Sequence, residues 1–284
     1  MQSFIGWWQH LPENINPNLI TIGSFQIRYY GLMYLLAFAT VYLLIQYRLK
    51  REKTGIAQKV IEDYFFWMIP LVLAGGRLGY VLFYNLGYYI KHPLEIALPF
   101  EFTNGFKYTG IYGMSYHGAL IAVIFGTVMF CRKNKVDFWR LTDLVISAFP
   151  LGYTFGRIGN FINGELYGRP TDSFLGMYFP LDPTGQLRHA SQLYEAFFEG
   201  IFLFVILWNL RQNKRFSRLL FTVYLIGYGV VRFFLEFLRQ PDAQLGFIFG
   251  WLTMGQILCL AMIAAGSWCS QKKKCLKSGL FSKP

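Results

Sequence analysis

Charge is scarce in this chain. Only 15% of its 284 residues are Asp, Glu, Lys or Arg, well below what a soluble domain of this size carries on its surface. Cysteine is scarce too: Cys131, Cys259, Cys269 and Cys275 are the only four. They form no CxxC pair, which argues against a disulfide framework and against a thiolate metal site. The sequence contains no HExxH, no cluster of His and Cys, and no P-loop. No metal ligands and no cofactor are therefore assigned. No internal repeat of a transporter kind and no low-complexity tract is visible. No basic region precedes the first apolar run, which starts near residue 29, so a cleavable signal peptide is not expected.

Apolar residues are abundant instead. Hydrophobic side chains make up 54% of the chain and aromatic ones 19%. Apolar runs lie at 29–47, 64–86, 111–131, 141–159, 192–210, 218–238 and 249–269. Several reach the roughly 20 residues that a helix needs to cross about 30 Å of hydrocarbon. The pattern predicts an all-α polytopic membrane protein of about seven transmembrane helices with short outer-face loop elements. It reads as one membrane domain, 1–284. Residues 1–28 would form an outer amino-terminal interfacial segment, 160–191 an outer loop, and 270–284 a cytoplasmic basic tail.

The formal charge of +12 is distributed as topology rather than as a nucleic-acid face. Alternate connections hold 18 of the 27 Lys and Arg residues: Arg48 to Lys59, Arg132 to Arg140, Arg211 to Arg218, and Lys272 to Lys283. The positive-inside rule then places the amino terminus outside and the carboxyl terminus in the cytoplasm. No extended basic face is present, so no nucleic-acid partner is expected.

With that topology the unusual polar residues gather at one depth. Tyr30 lies near the outer end of the first helix, Arg77 in the outer half of the second, and His117 near the outer end of the third. Arg157 and Asn160 end the fourth; His189, Gln192, Glu195 and Glu199 start the fifth; Arg232, Glu236 and Arg239 finish the sixth. Charged groups at membrane depth cost several kcal/mol and are usually retained for a task. The segment Gly156-Arg157-Ile158-Gly159-Asn160-Phe161-Ile162-Asn163-Gly164-Glu165 concentrates them most strongly. An arginine fork donates two parallel hydrogen bonds to a phosphate and stays charged, so a phospholipid headgroup is the indicated ligand class. Spacing alone leaves alternatives open. Arg232 and Glu236, four apart, could simply neutralise each other; Arg77 could pair structurally with a helix-five glutamate; a lone His117 could be structural or a proton acceptor. Gly152 and Gly156 form a small-xxx-small pattern suited to close helix packing.

At these residues the chain resembles the prolipoprotein diacylglyceryl transferase family of the bacterial inner membrane. The likeness runs through Tyr29-Tyr30-Gly31-Leu32-Met33-Tyr34, Gly75-Gly76-Arg77-Leu78-Gly79-Tyr80 and Met114-Ser115-Tyr116-His117-Gly118. It continues through Gly156 to Gly168, Arg188-His189-Ala190-Ser191-Gln192-Leu193-Tyr194-Glu195, and Gly227 to Asp242. The resemblance implies transfer of the diacylglyceryl group of phosphatidylglycerol to the lipobox cysteine of a preprolipoprotein. A thioether forms and glycerol phosphate is released. It implies a multi-pass protein of the bacterial inner membrane, with its site toward the periplasmic leaflet. Phosphatidylglycerol, the lipobox segment and the bilayer are its expected partners. His117, Arg157 and Arg232 are the catalytic candidates. Tyr30, Arg77, Asn160, Glu165, Gly168, Tyr228, Glu236 and Arg239 are the substrate-binding candidates. Three departures stand out: Ala190 where the family usually has proline, Tyr112 and Ala119 around the histidine motif, and a long aromatic loop at Lys91 to Ile111.

Overall fold

In a computed structural model the described residues are 2–22, 25–98, 100–101, 107–108, 113–240, 247–248 and 252–271. Each apolar run holds a long helix among the described residues. The long elements are α2 (Tyr29–Arg51), α3 (Gln58–Tyr84), α5 (Tyr116–Asn134), α7 (Phe149–Ile162), α8 (Ser191–Leu210), α9 (Leu220–Leu235) and α10 (Met254–Gln271). Shorter helices are α1 (Gln2–Gln9), α4 (Leu86–Lys91) and α6 (Phe138–Ile146). Tyr29–Arg51, Gln58–Tyr84 and Ser191–Leu210 are long and apolar enough to cross a membrane. Exposed Phe66, Phe83, Leu35 and Leu43 on these elements would meet lipid rather than water.

Three features depart from the predicted pattern of unbroken helices. The run at 141–159 is two helices, because Pro150 has no N–H to give the carbonyl four residues back. Between them, Ser147 is fixed by Arg48 (2.8 Å). Within α8 the stretch Ala196–Phe202 is a π-helix. Three two-stranded antiparallel hairpins also join the helices. They pair β1 (Asn18–Ile22) with β2 (Phe25–Arg28), β3 (Phe100–Glu101) with β4 (Lys107–Tyr108), and β5 (Phe247–Ile248) with β6 (Leu252–Thr253). The amino-terminal segment is therefore a helix and a hairpin, and β2 leads directly into α2.

The chain forms two compact units. Among the described residues, one comprises those up to Thr54 with those from Trp139 onward, and the other those within Gly55–Phe138. The second unit is built on the pairing of α3 with α5. Its seam is made of small residues: a Cβ on Gly79 would lie 2.6 Å from the Gly118 Cα, so the two backbones touch. The glycines beside Arg77 and His117 thus serve helix packing.

The first unit is held by α2 against α7, α7 against the π-segment of α8, and α9 against α10. Gly152 carries the α2–α7 contact, since a Cβ there would stand 2.6 Å from Val41 Cγ2 and 3.1 Å from the Ala37 carbonyl. Gly156, its partner in the small-residue pattern, meets nothing within 4 Å. At one end of this unit Glu52 takes Arg48 and Arg211 at 2.8 Å each, and Arg211 stacks on Trp208. The other end carries the polar cluster described below.

Gly152→Val should overpack the α2–α7 seam and cost about 1–3 kcal/mol, read as a lowered melting temperature in detergent. Gly156→Ala should leave that temperature unchanged or raise it, because the added methyl has room and helix propensity improves.

Candidate active site

Glu195, near the start of α8, is the centre of the cluster. It is 1% exposed and pairs with three arginines supplied by two helices and a helix end, accepting hydrogen bonds from Arg232 and Arg239 and meeting Arg157 as an ion pair. Arg157 Nε lies 2.9 Å from Oε2, Arg232 Nη1 2.8 Å from Oε1, and Arg239 Nη1 3.4 Å from the same Oε1. Arg232 also reaches Glu199 Oε1 at 3.5 Å and donates to Glu236 Oε2 at 2.7 Å. Three guanidinium groups and three carboxylates are thus interleaved, a balance that a poorly solvated site requires.

The sequence places these groups through helix spacing. Arg232 and Glu236 are one turn apart on α9. Glu195 and Glu199 are one turn apart on α8, where the π-segment begins between them. Such insertions shift side-chain phase and often mark functional stretches. Thr154 Oγ1 donates to the Ala196 carbonyl at 3.2 Å, tying α7 to the widened turn. Glu236 is pinned from its far side by Thr253 Oγ1 at 3.1 Å. Thr253 itself forms a reciprocal cap with Gln256 at the start of α10 (3.0 and 3.2 Å).

Arg157 and Arg232 differ in how far they are committed. Arg232 is shared among three carboxylates. Arg157 gives Nε to the Tyr153 hydroxyl (2.6 Å) and Nη1 to Asn160 Oδ1 (3.4 Å), and its guanidinium lies over the Tyr153 ring. Among the described residues nothing takes its Nη2. Arg157 is therefore the arginine whose fork remains open to an anion.

Asn160 and Glu165 shape the turn after α7. Asn160 Nδ2 donates to Glu165 Oε1 at 2.8 Å, and the Glu165 N–H returns to the Asn160 carbonyl at 3.1 Å. Gln192 and Ser191 hold the carbonyls of Glu165 (2.6 Å) and Leu166 (2.9 Å), which fastens the turn to the start of α8. Tyr30 packs over Gly159, where a Cβ would approach its ring to 3.1 Å. Its hydroxyl meets that of Tyr34 at 3.1 Å. Tyr228 stacks edge-on against Tyr153.

Gly168 acts through its backbone. It forms an antiparallel bridge with Arg239, and its N–H donates to the His189 carbonyl at 2.8 Å. A Cβ there would lie 2.7 Å from His189 Cβ and closer still to the Leu238 carbonyl. Three chain segments meet at this point. Arg169 Nε adds a hydrogen bond to the Arg239 carbonyl at 2.8 Å, so the loop after α7 positions Arg239 directly. Ala190, where the family usually has proline, is 1% exposed and packed with Phe161, Met177 and Phe179.

The same loop carries a clasp. Arg188 grips Asp182 through two hydrogen bonds (2.7 and 3.1 Å) and lies over the Tyr167 ring. Burial alone would raise the Asp182 pKa, but hydrogen bonds from Arg188 and Thr184 outweigh it and hold the carboxyl below its ordinary 3.8. His189 is pushed down by burial.

Arg77 and His117 belong to the other unit. Arg77 donates to the carbonyls of Glu95 (2.5 Å), Ile96 (2.9 Å) and Gly113 (3.4 Å) and lies over the Tyr89 ring. These carbonyls, rather than a helix-five glutamate, are its described partners, and they give it a role in fixing the segment after α4. His117 sits exposed in the first turn of α5, which Ser115 caps by accepting from the Gly118 N–H at 3.3 Å. The Ser115 N–H binds the Gly76 carbonyl at 2.8 Å, so the two motifs are joined at their backbones. Tyr112, Pro241, Asp242 and Cys275, most of the loop from Phe102 to Ile111, and most of the basic tail lie outside the described residues.

Sequence reasoning placed Glu195 and Glu199 at the right end of their helix without giving them a role. Tyr153 was missed, hidden inside an apolar run. Its signal was a position one turn before Arg157.

Glu195→Ala should leave three guanidinium groups short of an acceptor and cost about 3–5 kcal/mol, seen as a large drop in thermal midpoint. For the clasp, a depressed carboxyl pKa stabilises above its unfolded value and loses that contribution as pH falls through the folded one. Hydrogen-exchange protection around 167–189 should therefore fade below about pH 4. In Asp182→Asn it should be lower at neutral pH and insensitive to that acidification.

The profile of the prolipoprotein diacylglyceryl transferase family matches residues 17–270. A phosphatidylglycerol–prolipoprotein diacylglyceryl transferase of Chlorobaculum tepidum is 54% identical over 267 residues, covering 94% of this chain and 92% of that protein. One bearing the same name from Aliarcobacter butzleri is 43% identical over 277 residues, covering 96% and 99%. Another from Bordetella avium is 47% identical over 252 residues, covering 88% and 92%. A match of this length and identity makes the chain a member of the prolipoprotein diacylglyceryl transferase family.

Proposed function

We propose that this enzyme moves the diacylglyceryl group of phosphatidylglycerol onto the lipobox cysteine of a preprolipoprotein. The cysteine sulfur forms a bond to the glyceryl carbon next to the phosphate. The carbon–oxygen bond there breaks, glycerol phosphate departs, and the thiol proton passes to a base. The observation that carries the reading is Arg157: a guanidinium with Nη2 open, at the end of an apolar helix, oriented by neighbours rather than neutralised by a single carboxylate. Such a fork can take a phosphate oxygen and steady the charge that develops on the leaving group.

In this reading Arg232 supplies fixed positive potential through Glu195 and Glu236 and does not bind the lipid alone. Asn160 and Glu165 hold the turn that aims Arg157. Tyr30, packed over Gly159, and Tyr228, edge-on to Tyr153, serve substrate binding beside Arg157, and Arg239 is set by Gly168. Arg77 supports the substrate-facing segment of its own unit, and His117 takes the thiol proton. Seven spans, an external amino terminus and a cytoplasmic carboxyl terminus follow from the alternation of basic connections. They put the Glu195 cluster toward the outer leaflet of the bacterial inner membrane, where an exported substrate arrives. The Arg48–Glu52–Arg211 cluster then lies about 24 Å away on the cytoplasmic side, sixteen residues along α8 from Glu195.

The test is reconstitution in vesicles with glycerol-labelled and acyl-labelled phosphatidylglycerol and a lipobox peptide. Acyl label should reach the cysteine while label in the headgroup glycerol leaves as glycerol phosphate. Arg157→Gln should slow transfer by about 10²–10³, and His117→Gln by about 10²–10⁴. Lipid consumption without labelled peptide would favour a hydrolase. Full activity in both variants would remove the assigned roles.

A further inference from the structure

Tyr153 is used by none of the chemistry assigned above, yet it is the best-connected neutral side chain in the cluster. It lies on α7 one turn before Arg157. Its hydroxyl oxygen accepts from Arg157 Nε at 2.6 Å, and its hydrogen goes to Glu199 Oε2. Glu199 is 0% exposed, and its other oxygen is 3.5 Å from Arg232 Nη1. The aromatic ring of Tyr153 lies under the Arg157 guanidinium and edge-on to Tyr228. One continuous line therefore runs Arg157, Tyr153, Glu199, Arg232.

We infer that Tyr153, fixed by Glu199, is a positioning residue that aims the Arg157 fork at the lipid phosphate. The reason is geometric. Arg157 has one Nε hydrogen and a long flexible stem, and its ion pair with Glu195 alone would let the guanidinium turn about that contact. The Tyr153 hydroxyl fixes Nε, and Asn160 fixes Nη1. Together they leave Nη2 as the end presented outward. Glu199 needs no contact with substrate in this arrangement. Its carboxylate settles the direction of the Tyr153 O–H, so that the tyrosine lone pairs face Arg157. A hydrogen bond to a charged group tolerates little angular error, so removing one oxygen should loosen the fork while leaving the packing of the ring intact.

The inference rests on Arg157 as the phosphate-binding arginine, and the experiment separates the two claims. Apparent affinity for phosphatidylglycerol, doped into detergent micelles against a phosphatidylcholine background, is read as thermal stabilisation of the full-length protein. It is measured for wild type, Tyr153→Phe, Arg157→Lys and the double variant. The KM for lipobox peptide is measured for wild type and Tyr153→Phe. Tyr153→Phe should weaken lipid affinity about tenfold, with the lipid-free midpoint and the peptide KM little changed. In the Arg157→Lys background the same change should add less than about twofold, because a residue acting through another shows no separate effect.

An equal tenfold loss in both backgrounds would overturn the inference. So would parallel shifts of lipid affinity, peptide KM and lipid-free midpoint, which mark a purely structural role. If Arg157→Lys itself leaves affinity unchanged, the phosphate assignment fails first and the positioning role falls with it. Glu199→Gln, which keeps an acceptor for the tyrosine, should stay within about threefold of wild type, whereas Glu199→Met should match Tyr153→Phe. That pair carries the same cycle should Tyr153→Phe not fold.

Discussion

A single buried carboxylate organises this site. Glu195 draws in Arg157, Arg232 and Arg239 from the ends of α7 and α9, in surroundings where unpaired charge is expensive. The cost of leaving any of the three arginines without an acceptor is what holds these helix ends together. Glu199 and Glu236 restore the balance of charge, and their second oxygens bind Tyr153 and Thr253. Several elements thus have fixed positions because one acidic group has to be satisfied.

The same constraint explains how function can be built from groups that are already paired. A cluster of arginines alone would bind phosphate tightly but would repel itself in an apolar site. Interleaving it with glutamates makes it stable and leaves specificity to whichever guanidinium is least consumed. Arg157 occupies that position because its closest partner at Nε is a neutral hydroxyl and its Nη1 partner is an amide oxygen. Arg232 meets three carboxylates instead. The loop after α7 then limits where the third arginine can go, through the Gly168 bridge and the Arg188–Asp182 clasp.

The helical character and the family were legible in the sequence. Apolar run lengths located every long helix, and six ordered motifs pointed to the family that the profile and relatives confirm. Arg157, Asn160, Arg232, Glu236 and Arg239 stood out because charge and amide groups are anomalous in apolar helices. What stayed hidden depends on contacts that spacing does not encode. Tyr153 looks like any aromatic residue in a lipid-facing run until its hydroxyl is seen against Arg157. Gly168 reads as a motif glycine, and only the crossing of Leu238 and His189 shows why a Cβ is excluded. The π-segment in α8 has no signature in hydrophobic periodicity, and the break at Ser147 was overridden by the continuity of the apolar run. Gly152 and Gly156 looked alike in sequence, but only the first is packed.

The central claim is that Arg157 meets the lipid phosphate through a fork held open by its neighbours. Solid-state NMR of the reconstituted protein, with guanidinium nitrogens labelled and phosphatidylglycerol supplying the phosphorus, measures that distance without relying on turnover. The account requires strong phosphorus–nitrogen dipolar dephasing at Arg157, corresponding to about 4 Å, and weaker dephasing at Arg232. Dephasing confined to Arg232 or absent from both, in protein that still lipidates peptide, would contradict it.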